Sequence, residues 1–391
     1  MAEWITTNLE ECTDVLGDGL HGTPKYTESG EYAFVNGNNL VDGEILIKKE
    51  TKRVDYSQYE KYKKPLTDRT ILVSINGTLG NVGIYNSEKI ILGKSACFFN
   101  VKESVDKDFI YYIVSSPAFK QYLESNATGT TIKNISLKQI RKYTFSLPQI
   151  SEQKRISSVL RRIDEKIKNN RAINKNLEQQ AQAVYNKMFS EVNSEPVELS
   201  SIIDVRDGTH DSPKVQTTGY YLITSKHLLS FGVDKASANH ISKADFDKIN
   251  ERSLVETKDI LMSMIGTIGL ISYIPYEAID FAIKNVALFK TSHTPELAYY
   301  FLCYLKSERT LQHIEKCLAG STQKYISLGE LRKMPIYSPT TDEIREFNCL
   351  VKPMFEEIVS RTYENTLLAE MRDTLLPKLM SGELDVSNID L

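Results

Sequence analysis

The chain has 391 residues, more than one hydrophobic core usually organises, so we expect two domains with connecting elements. Hydrophobic residues make up 41% and charged residues 25% of the sequence, which excludes a wholly disordered, collagen-like or coiled-coil chain. The formal net charge is −3, whereas a nucleic-acid-binding protein usually carries an excess of basic residues.

The N-terminal segment, MAEWITTNLEE, lacks the basic and apolar regions of a signal peptide. The sequence also has no run of about 20 apolar residues, the length that crosses a bilayer as a helix. We therefore expect no membrane span and a cytoplasmic protein.

Two motifs in the N-terminal half recur later in the chain. The loop motif D-G-x-H-x-[ST]-P-K occurs at residues 18–25 and 207–214, and the turn SINGTLG at 74–80 returns as SMIGTIG at 263–269. Both pairs are 189 residues apart (207 − 18 and 263 − 74). After a drift of two residues, the ISL at 135–137 matches the ISL at 326–328. A unit of about 190 residues is too long for a solenoid repeat, so we predict two whole domains, each with an appended element.

Short apolar and β-branched runs within each copy predict strands at 71–75, 90–92, 259–263 and 286–289. Helical patterns follow at about 108–123 and 295–316. Each copy is therefore predicted to be a mixed α+β domain.

Apolar residues spaced three and four apart predict one long helix after Pro148 and another after Pro339. Each would contain roughly 40 residues and measure about 60 Å. Polar residues interrupt both apolar seams at mid-helix, namely Asn170, Asn174, Arg361 and Asn365. If the helices pair antiparallel about a pseudo-two-fold axis, these residues face each other and set the register. Alternatively, they are exposed on helices that pack elsewhere.

The two long helices should differ in detail. Pro353 is expected to kink the second helix or to leave a local break in it. That helix is expected to open at Thr341 or Asp342, since either side chain can cap it. Residues 152–187 contain nine lysine or arginine residues and four acidic residues. Basic surface is therefore predicted to be local to parts of the chain or to be supplied by partners.

The D-G-x-H-x-[ST]-P-K loop combines a turn-forming Asp-Gly with an imidazole, a hydroxyl and a lysine, which are donors suited to phosphate oxygens. Its candidate DNA contacts are His21, Thr23, Lys25, His210, Ser212 and Lys214. The alternative is an Asx-turn in which the histidine satisfies backbone groups.

The G-T-x-G segments are not followed by Gly-Lys-[Ser/Thr], so we interpret them first as tight turns between strands. Their threonines, Thr78 and Thr267, are further candidate DNA contacts. A third pair of loops supplies hydroxyls, an amide and lysines that could bind phosphate, guanine or adenine: Thr130, Thr131, Lys133, Thr322, Gln323 and Lys324. Ordinary exposed polar loops have a similar composition.

Motifs of catalysis are missing from the sequence. It contains no Pro-Pro of an amino-methyltransferase, no Pro-Asp of a PD-(D/E)xK nuclease, no Walker A motif and no H-E-x-x-H. We therefore predict no catalytic and no metal-binding residues. The cysteines form no C-x-x-C pair and are expected to be buried thiols: Cys12, Cys97, Cys303, Cys317 and Cys349.

Residues 147–156 read LPQISEQKRI and are followed by DEKI at 164–167 and NKNLE at 174–178. With these segments the chain resembles the specificity subunit of Type I restriction-modification systems. That family has two target recognition domains, each entered through a G-x-H-x-T-P-like loop, carrying a G-T-x-G turn and ending at a junction into a long helix. The second junction of this chain, residues 337–344, departs from the pattern because it lacks the usual Glu-Gln pair.

The resemblance implies an α+β fold with two homologous target recognition domains and two long helices that form an antiparallel, pseudo-two-fold symmetric coiled coil. The expected boundaries are 1–147 and 193–337 for the recognition domains, 148–192 and 338–382 for the helical spacers, and 383–391 for a tail. The subunit would be non-catalytic, and each recognition domain would read one half of a bipartite target in double-stranded DNA. A helix of about 60 Å would accommodate half-sites about 34 Å apart.

The resemblance also implies partners and cofactors. Two modification subunits would bind S-adenosylmethionine and methylate adenine, and restriction subunits would use ATP and Mg²⁺, so that no cofactor is expected on this chain. A coiled-coil adaptor that grips proteins with its duplicated domains is the alternative, and it would associate independently of salt without binding duplex DNA. A fused Type II-like restriction enzyme is a third hypothesis, which fails because methylase and nuclease motifs are absent from the sequence.

Overall fold

The computed structural model describes residues 4–129, 132–189, 195–320, 324–384 and 386. Contacts within the chain divide it into two units. Unit 1 comprises Met1–Ile167 and Leu367–Leu391, and unit 2 comprises Lys168–Thr366. Both boundaries fall within long helices, so unit 1 is discontinuous in sequence.

Unit 1 contains strands and helices in alternating groups. Its strands are β1 (Ile5–Asn8), β2 (Thr13–Asp18), β3 (Tyr32–Val35), β4 (Leu40–Val41), β5 (Glu44–Ile45), β6 (Arg53–Val54), β7 (Thr70–Ser74), β8 (Val82–Ile84), β9 (Ile90–Leu92), β10 (Ala96–Val101) and β11 (Thr144–Leu147). Its helices are α1 (Tyr56–Tyr62), α2 (Lys107–Ser115), α3 (Pro117–Asn126), α4 (Leu137–Arg141), the first part of α5 (Ile150–Phe189) and the last part of α10 (Thr341–Met380).

The main sheet of unit 1 is antiparallel and has the strand order β2-β10-β7-β8. Its central strand β10 is buried along its whole length, because both faces of the sheet are covered. Side chains alternate between the faces, so that Phe99 joins one hydrophobic core and Phe98 another. A second sheet, β6-β3-β9, contains the parallel pair β3 and β9.

Unit 2 repeats this order of elements, except that a single bridge between Leu228 and Val233 stands where unit 1 has the strand pair β4 and β5. Its strands are β12 (Val197–Glu198), β13 (Val205–Asp207), β14 (Tyr220–Ile223), β15 (Asn239–Ile241), β16 (Ile260–Ser263), β17 (Ile271–Tyr273), β18 (Phe281–Ile283), β19 (Val286–Phe289) and β20 (Pro335–Ile336). Its helices are α6 (Lys243–Ser253), α7 (Ala298–Lys306), α8 (Glu308–Lys316), α9 (Leu328–Arg332), the second part of α5 and most of α10 (Thr341–Met380). The sheet orders, β13-β19-β16-β17 and β15-β14-β18, match those of unit 1.

The strands predicted from apolar runs are present as β7, β9, β16 and β19. Each predicted helical stretch, by contrast, contains a break. In unit 1 the break lies at Ser116, whose hydroxyl accepts from Phe119 N at 3.2 Å and caps α3, with Pro117 in the first turn. Ser307 caps α8 in the same way in unit 2.

The two long helices run antiparallel within each unit. In unit 1, Ile156 and Leu160 of α5 share a core with Leu376 and Leu379 of α10. In unit 2, Asn170 bonds to Asn365 whereas Asn174, one turn later, bonds to Thr362, so rising numbers on one helix meet falling numbers on the other.

Two expectations about α10 are corrected in part. The helix is continuous through Pro353, so the local break is absent, and it begins at Thr341 as expected. Its cap is Thr340 rather than Thr341 or Asp342, since Thr340 Oγ1 accepts from Glu343 N at 3.3 Å and Glu343 Oε2 accepts from Thr340 N at 2.7 Å. This reciprocal pair is a capping box.

The cysteines are only partly as expected. Cys12, Cys97 and Cys303 are buried, and burial raises the pKa of the Cys97 and Cys303 thiols to about 12. Cys317 is half-buried and Cys349 is exposed, which corrects the prediction of five buried thiols. Across the residues that the structure describes, no helix is long and apolar enough to cross a membrane.

Candidate nucleic-acid interface

The first loop of unit 1, residues 18–25, leaves the main sheet at the end of β2. His21 Nε2 donates to Asp18 Oδ2 at 2.5 Å, and the imidazole is otherwise 73% exposed. Gly19 lies so close to the β9–β10 turn that a Cβ there would be 2.2 Å from Gly93 O, which requires glycine. The histidine therefore bonds a carboxylate and not the backbone groups considered in the Asx-turn alternative.

The same loop of unit 2, residues 207–214, is held by more side chains. His210 Nε2 lies 3.1 Å from Asp207 Oδ2, and its Nδ1 lies 2.8 Å from Asn285 Oδ1. Arg252 of α6 donates from Nη2 to Asp207 Oδ1 at 2.8 Å. Both ring nitrogens therefore face oxygen atoms of the protein, and the buried carboxylate of Asp207 joins the loop to α6.

Hydroxyl and lysine side chains of the two first loops differ in their surroundings. Thr23 and Lys25 are exposed, and Lys25 is anchored through its backbone N, which donates to Gln58 Oε1 at 3.1 Å. Ser212 accepts a hydrogen bond from the ammonium group of Lys284. The exposed Lys214 lines a groove of about 600 Å³ between the loop and α6.

The G-T-x-G segments are turns between strands, as predicted. They connect β7 with β8 and β16 with β17, and Gly77 and Gly266 adopt positive φ angles of 78° and 79° that favour glycine. Ser74 Oγ donates to Thr78 O at 2.7 Å, and Ser263 Oγ donates to Thr267 O at 2.6 Å. The two serine hydroxyls thus stabilise the turns by bonding to the backbone carbonyls of Thr78 and Thr267. Both threonines are exposed.

The third loops are closed at their bases by reciprocal backbone hydrogen bonds. Thr128 and Asn134 exchange two bonds of 2.8 Å, and Ala319 and Tyr325 exchange two of 2.9 Å. Lys133 and Lys324 are exposed on these loops. The candidates Thr130, Thr131, Thr322 and Gln323 lie outside the described residues.

Strand pairing brings the three loops of each unit together. In unit 1, Asp18 pairs with Cys97 and Cys97 pairs with Val73, so the first loop and the turn leave the sheet at the same end, about 10 Å apart. Gly77 N donates to Lys133 O at 2.9 Å and joins the third loop to the turn. We call residues 18–25, 77–80, 128–129 and 132–134 the loop surface of unit 1.

Unit 2 has the same arrangement. Asp207 pairs with Ala287, and Ala287 pairs with Met262, so the first loop and the turn again leave one end of the sheet. A backbone bridge between Ile265 and Tyr325 joins the third loop to the turn. The loop surface of unit 2 comprises residues 207–214, 266–269, 319–320 and 324–325.

Sequence reasoning missed several residues at these surfaces. Asn285 and Arg252 hold the first loop of unit 2 from positions distant in sequence, and no motif marks them. Ile132 and Tyr325 are exposed apolar side chains beside the lysines of the third loops. An apolar residue within an otherwise polar loop was a signal that could have identified these two, since such side chains contact thymine methyl groups or stack on bases.

The structure brings three of the four polar helix residues into one cluster. Asn170 is 1% exposed, and its amide donates to Asn365 Oδ1 at 2.9 Å and accepts from Arg361 Nη1 at 2.9 Å. Asn174 bonds instead to Thr362 Oγ1, at 3.2 Å. These residues are thus not exposed on helices that pack elsewhere.

A family model described as the Type I restriction modification DNA specificity domain matches residues 1–179 and 191–347. The chain belongs to this family. The two matched stretches contain both loop surfaces. Membership of the Type I restriction-modification specificity family supports DNA target recognition as the function and implies assembly with other subunits of such a system.

Individual members of the specificity family resemble the chain along most of its length. The MjaIX specificity subunit of Methanocaldococcus jannaschii is 23% identical, with 99% of this chain and 95% of the relative covered. The EcoBI specificity subunit of Escherichia coli is 21% identical, with 89% and 81% covered. The crystal structure of the S subunit from M. genitalium has a TM-score of 0.53 at 19% identity, covering 97% of this chain and 96% of that one, which shows a common fold.

Proposed function

We propose that each loop surface reads one half of a bipartite target in double-stranded DNA. The observation that carries the proposal is the repetition of the loop surface. In both units a histidine loop and a G-T-x-G turn leave the same end of the same sheet, and backbone contacts join a lysine-bearing loop to the turn, although the three come from distant parts of the sequence. Two separate surfaces with the same arrangement of loops match a target that consists of two half-sites.

Within this proposal the loop residues take different roles. Exposed lysines donate to phosphates or guanine, and exposed hydroxyls donate to phosphates or base edges. The exposed groups are Thr23, Lys25, Thr78, Lys133, Lys214, Thr267 and Lys324. The further candidates Thr130, Thr131, Thr322 and Gln323 lie outside the described residues. His21 and His210 bond carboxylates of their own loops and fix the loop conformation, and Ser212 accepts a hydrogen bond from Lys284, which lies outside the loop.

The long helices form the spacer in this proposal. They would pair as an antiparallel coiled coil about a pseudo-two-fold axis, with recognition domains at 1–147 and 193–337 and spacers at 148–192 and 338–382. The cross-helix bonds of Asn170 support a role for Asn170, Asn174, Arg361 and Asn365 in setting the register, since a shift by one turn would leave a buried amide without partners.

The chemistry would belong to other subunits. Two modification subunits would dock on the helices and bind S-adenosylmethionine, and restriction subunits would supply ATP- and Mg²⁺-dependent cleavage. This chain would select the site without a cofactor of its own.

The test is to express the chain with its modification subunit and to map adenine methylation across genomic DNA by single-molecule sequencing, with and without the chain. A gapped two-part motif that appears only with the chain is the expected result. A stable complex that produces no motif would overturn target reading and favour the protein-binding adaptor.

The spacer role has a separate test. The variant carries seven additional residues after Ile167 in α5 and another seven after Thr366 in α10, at the two boundaries between the units. Each insertion lengthens its helix by about 10.5 Å and adds close to a whole number of helical turns. The spacer between the half-sites should lengthen by about three base pairs at 3.4 Å each, with both half-sites unchanged. If the variant still prefers the wild-type spacer length, the helices do not set the separation of the half-sites.

A further inference from the structure

A basic segment lies next to the loop surface of unit 1. Residues 48–64, KKETKRVDYSQYEKYKK, contain seven lysine or arginine residues and three acids, an excess of four positive charges (7 − 3) in a chain of net charge −3. The segment covers strand β6 and helix α1. We call residues 48–64 the lysine–tyrosine strip.

Most charges of the strip are not neutralised by the protein. Lys48, Lys49, Lys52 and Lys61 are exposed, and within the described ranges none of them forms an ion pair with a carboxylate. Lys63 is the exception, with its Nζ 2.6 Å from Glu60 Oε1. An exposed surface with unpaired lysines attracts a polyanion.

Tyrosines lie among these lysines and give the strip a fixed shape. Tyr32 and Tyr59 stack with their ring centroids 4.0 Å apart, and Lys52 Nζ lies 4.5 Å from the centre of the Tyr26 ring. Tyr56 is 61% exposed. Lysine and tyrosine side chains are common donors to phosphate oxygens of DNA.

The strip is continuous with the loop surface of unit 1. Lys25, the last residue of the first loop, donates its backbone N–H to Gln58 Oε1 of α1, and Thr27 N donates to Arg53 O at 2.9 Å. The ring under Lys52 belongs to Tyr26, the residue after the loop. A duplex on the loop surface would therefore lie beside the strip.

Unit 2 has no equivalent excess of charge. Its counterpart of α1 is α6, which also follows the edge strand of the three-stranded sheet. In strand register Arg53 corresponds to His240, so the strip corresponds to residues 235–251, which contain three basic and three acidic residues. Lys243 is paired with Asp247 at 2.6 Å, and Arg252 is paired with Asp207 at 2.8 Å. The strip thus distinguishes the two units.

We propose that the lysine–tyrosine strip binds the phosphate backbone of duplex DNA adjoining the half-site of unit 1, independently of base sequence. The proposal rests on the proposed function, since it assumes that unit 1 holds a half-site. Binding there would anchor unit 1 to DNA of any sequence more strongly than unit 2.

The test measures the salt dependence of duplex binding by the complex with modification subunits. The variant Lys48→Gln/Lys49→Gln/Lys61→Gln removes three exposed charges and leaves Lys52 on the Tyr26 ring. The slope of log affinity against log salt should fall by about 0.9 for each lost phosphate contact, or about 2.7 in total. Raising salt from about 50 to about 200 mM should then weaken the variant about 40-fold less than the wild type.

Two duplexes and one control variant make the result specific. The affinity should fall by the same factor for the target duplex and for a duplex with a scrambled unit 1 half-site. Lys243→Gln on α6, matched to Lys61→Gln on α1, should leave the slope unchanged, and thermal melting of each variant checks its folding.

An unchanged slope in the folded triple variant would overturn the proposal. A loss confined to the target duplex would overturn it too, because the strip would then read bases. Weaker binding of the modification subunits with an unchanged slope would instead make the strip a protein-docking surface. In each of these cases the wild-type methylation motif would persist, whereas failure of the proposed function removes that motif.

Discussion

Arg361 donates a hydrogen bond from Nη1 to Oδ1 of the buried Asn170 at 2.9 Å, from one long helix to the other. The amide nitrogen of Asn170 donates to Glu364 at 2.7 Å and to Asn365 at 2.9 Å. The polar groups of Asn170 are thus satisfied by α10. Asn170 therefore contributes to the pairing of the helices in unit 2, together with the bond from Asn174 to Thr362.

Asn170→Ala should lower the free energy of unfolding by about 2 kcal/mol, because hydrogen bonds to charged groups contribute about 1.5–3 kcal/mol. Chemical denaturation measures this difference. Lys175→Ala, at an exposed position of the same helix, is the control and should change stability by less than about 0.5 kcal/mol. Equal stability of the two variants would show that the bonds of Asn170 contribute nothing.

Lys133→Ala and Lys324→Ala should each weaken recognition of one half-site only. A lost guanine contact costs about 1–3 kcal/mol of discrimination, and a lost phosphate contact lowers the salt slope by about 0.9. Competition binding with duplexes altered in one half-site measures the effect. The matched variants Lys133→Arg and Lys324→Arg keep the charge and should retain most of the affinity. Equal effects of one alanine variant on both half-sites would contradict the assignment of loops to half-sites.

A buried ion pair in unit 2 replaces a neutral hydrogen bond in unit 1. Lys290 Nζ lies 2.7 Å from Asp259 Oδ2, and both residues are fully enclosed. In strand register these positions correspond to Asn100 and Thr70, where the threonine hydroxyl donates to the asparagine oxygen at 2.6 Å.

Lys290→Asn alone should cost about 3–5 kcal/mol, because it leaves the carboxylate of Asp259 buried without its cation. The double variant Lys290→Asn/Asp259→Thr installs the pair found in unit 1 and should recover most of that stability. Denaturation of both variants measures the difference. A double variant no more stable than the single one would show that the two positions are not interchangeable between the units.

The capping box of α10 should make stability depend on pH. Hydrogen bonds from Thr340 hold the pKa of Glu343 below its usual value. A carboxyl group with a lowered pKa in the folded state stabilises the fold above its unfolded pKa of about 4.3, and this contribution is lost as pH falls through the folded pKa.

Glu343→Gln should therefore be less stable than the wild type at neutral pH, and the difference should shrink at acidic pH. Thr340→Ala should cost about 1 kcal/mol at neutral pH, as loss of a cap does. Melting curves across the pH range provide the measurement, with the exposed Glu346→Gln as the control. A difference for Glu343→Gln that grows with acidity would contradict the sign of the shift.

The duplication of the domain was the feature of the fold that the sequence predicted most clearly. Two motif pairs at one offset predicted two similar halves, and apolar runs located β7, β9, β16 and β19, because local patterns determine where strands form. The parallel pairing of β3 with β9 was not predicted, since it joins segments whose pairing no local pattern encodes. The breaks at Ser116 and Ser307 were missed because the apolar pattern continues across them.

For the candidate site, motifs identified the loops but not their neighbours. The first loop and the turn come to the same end of the sheet because β10 pairs with both β2 and β7. Arg252 and Asn285 reach the first loop of unit 2 through tertiary packing, which a one-dimensional pattern does not contain. The sequence analysis noted an excess of basic residues at 152–187 and not at the lysine–tyrosine strip, whose position beside the loop depends on the contact of Lys25 with Gln58.

The discontinuity of unit 1 affects how the protein is made. The ribosome synthesises residues 4–167 before unit 2. Three residues of the unit 1 core are synthesised only after all of unit 2, namely Leu376, Leu379 and Val386. Unit 2 is one continuous segment and can close its core earlier. The unit whose synthesis begins first is therefore the last to be completed, and until then its nascent sheet and helices leave the apolar surface for α10 uncovered.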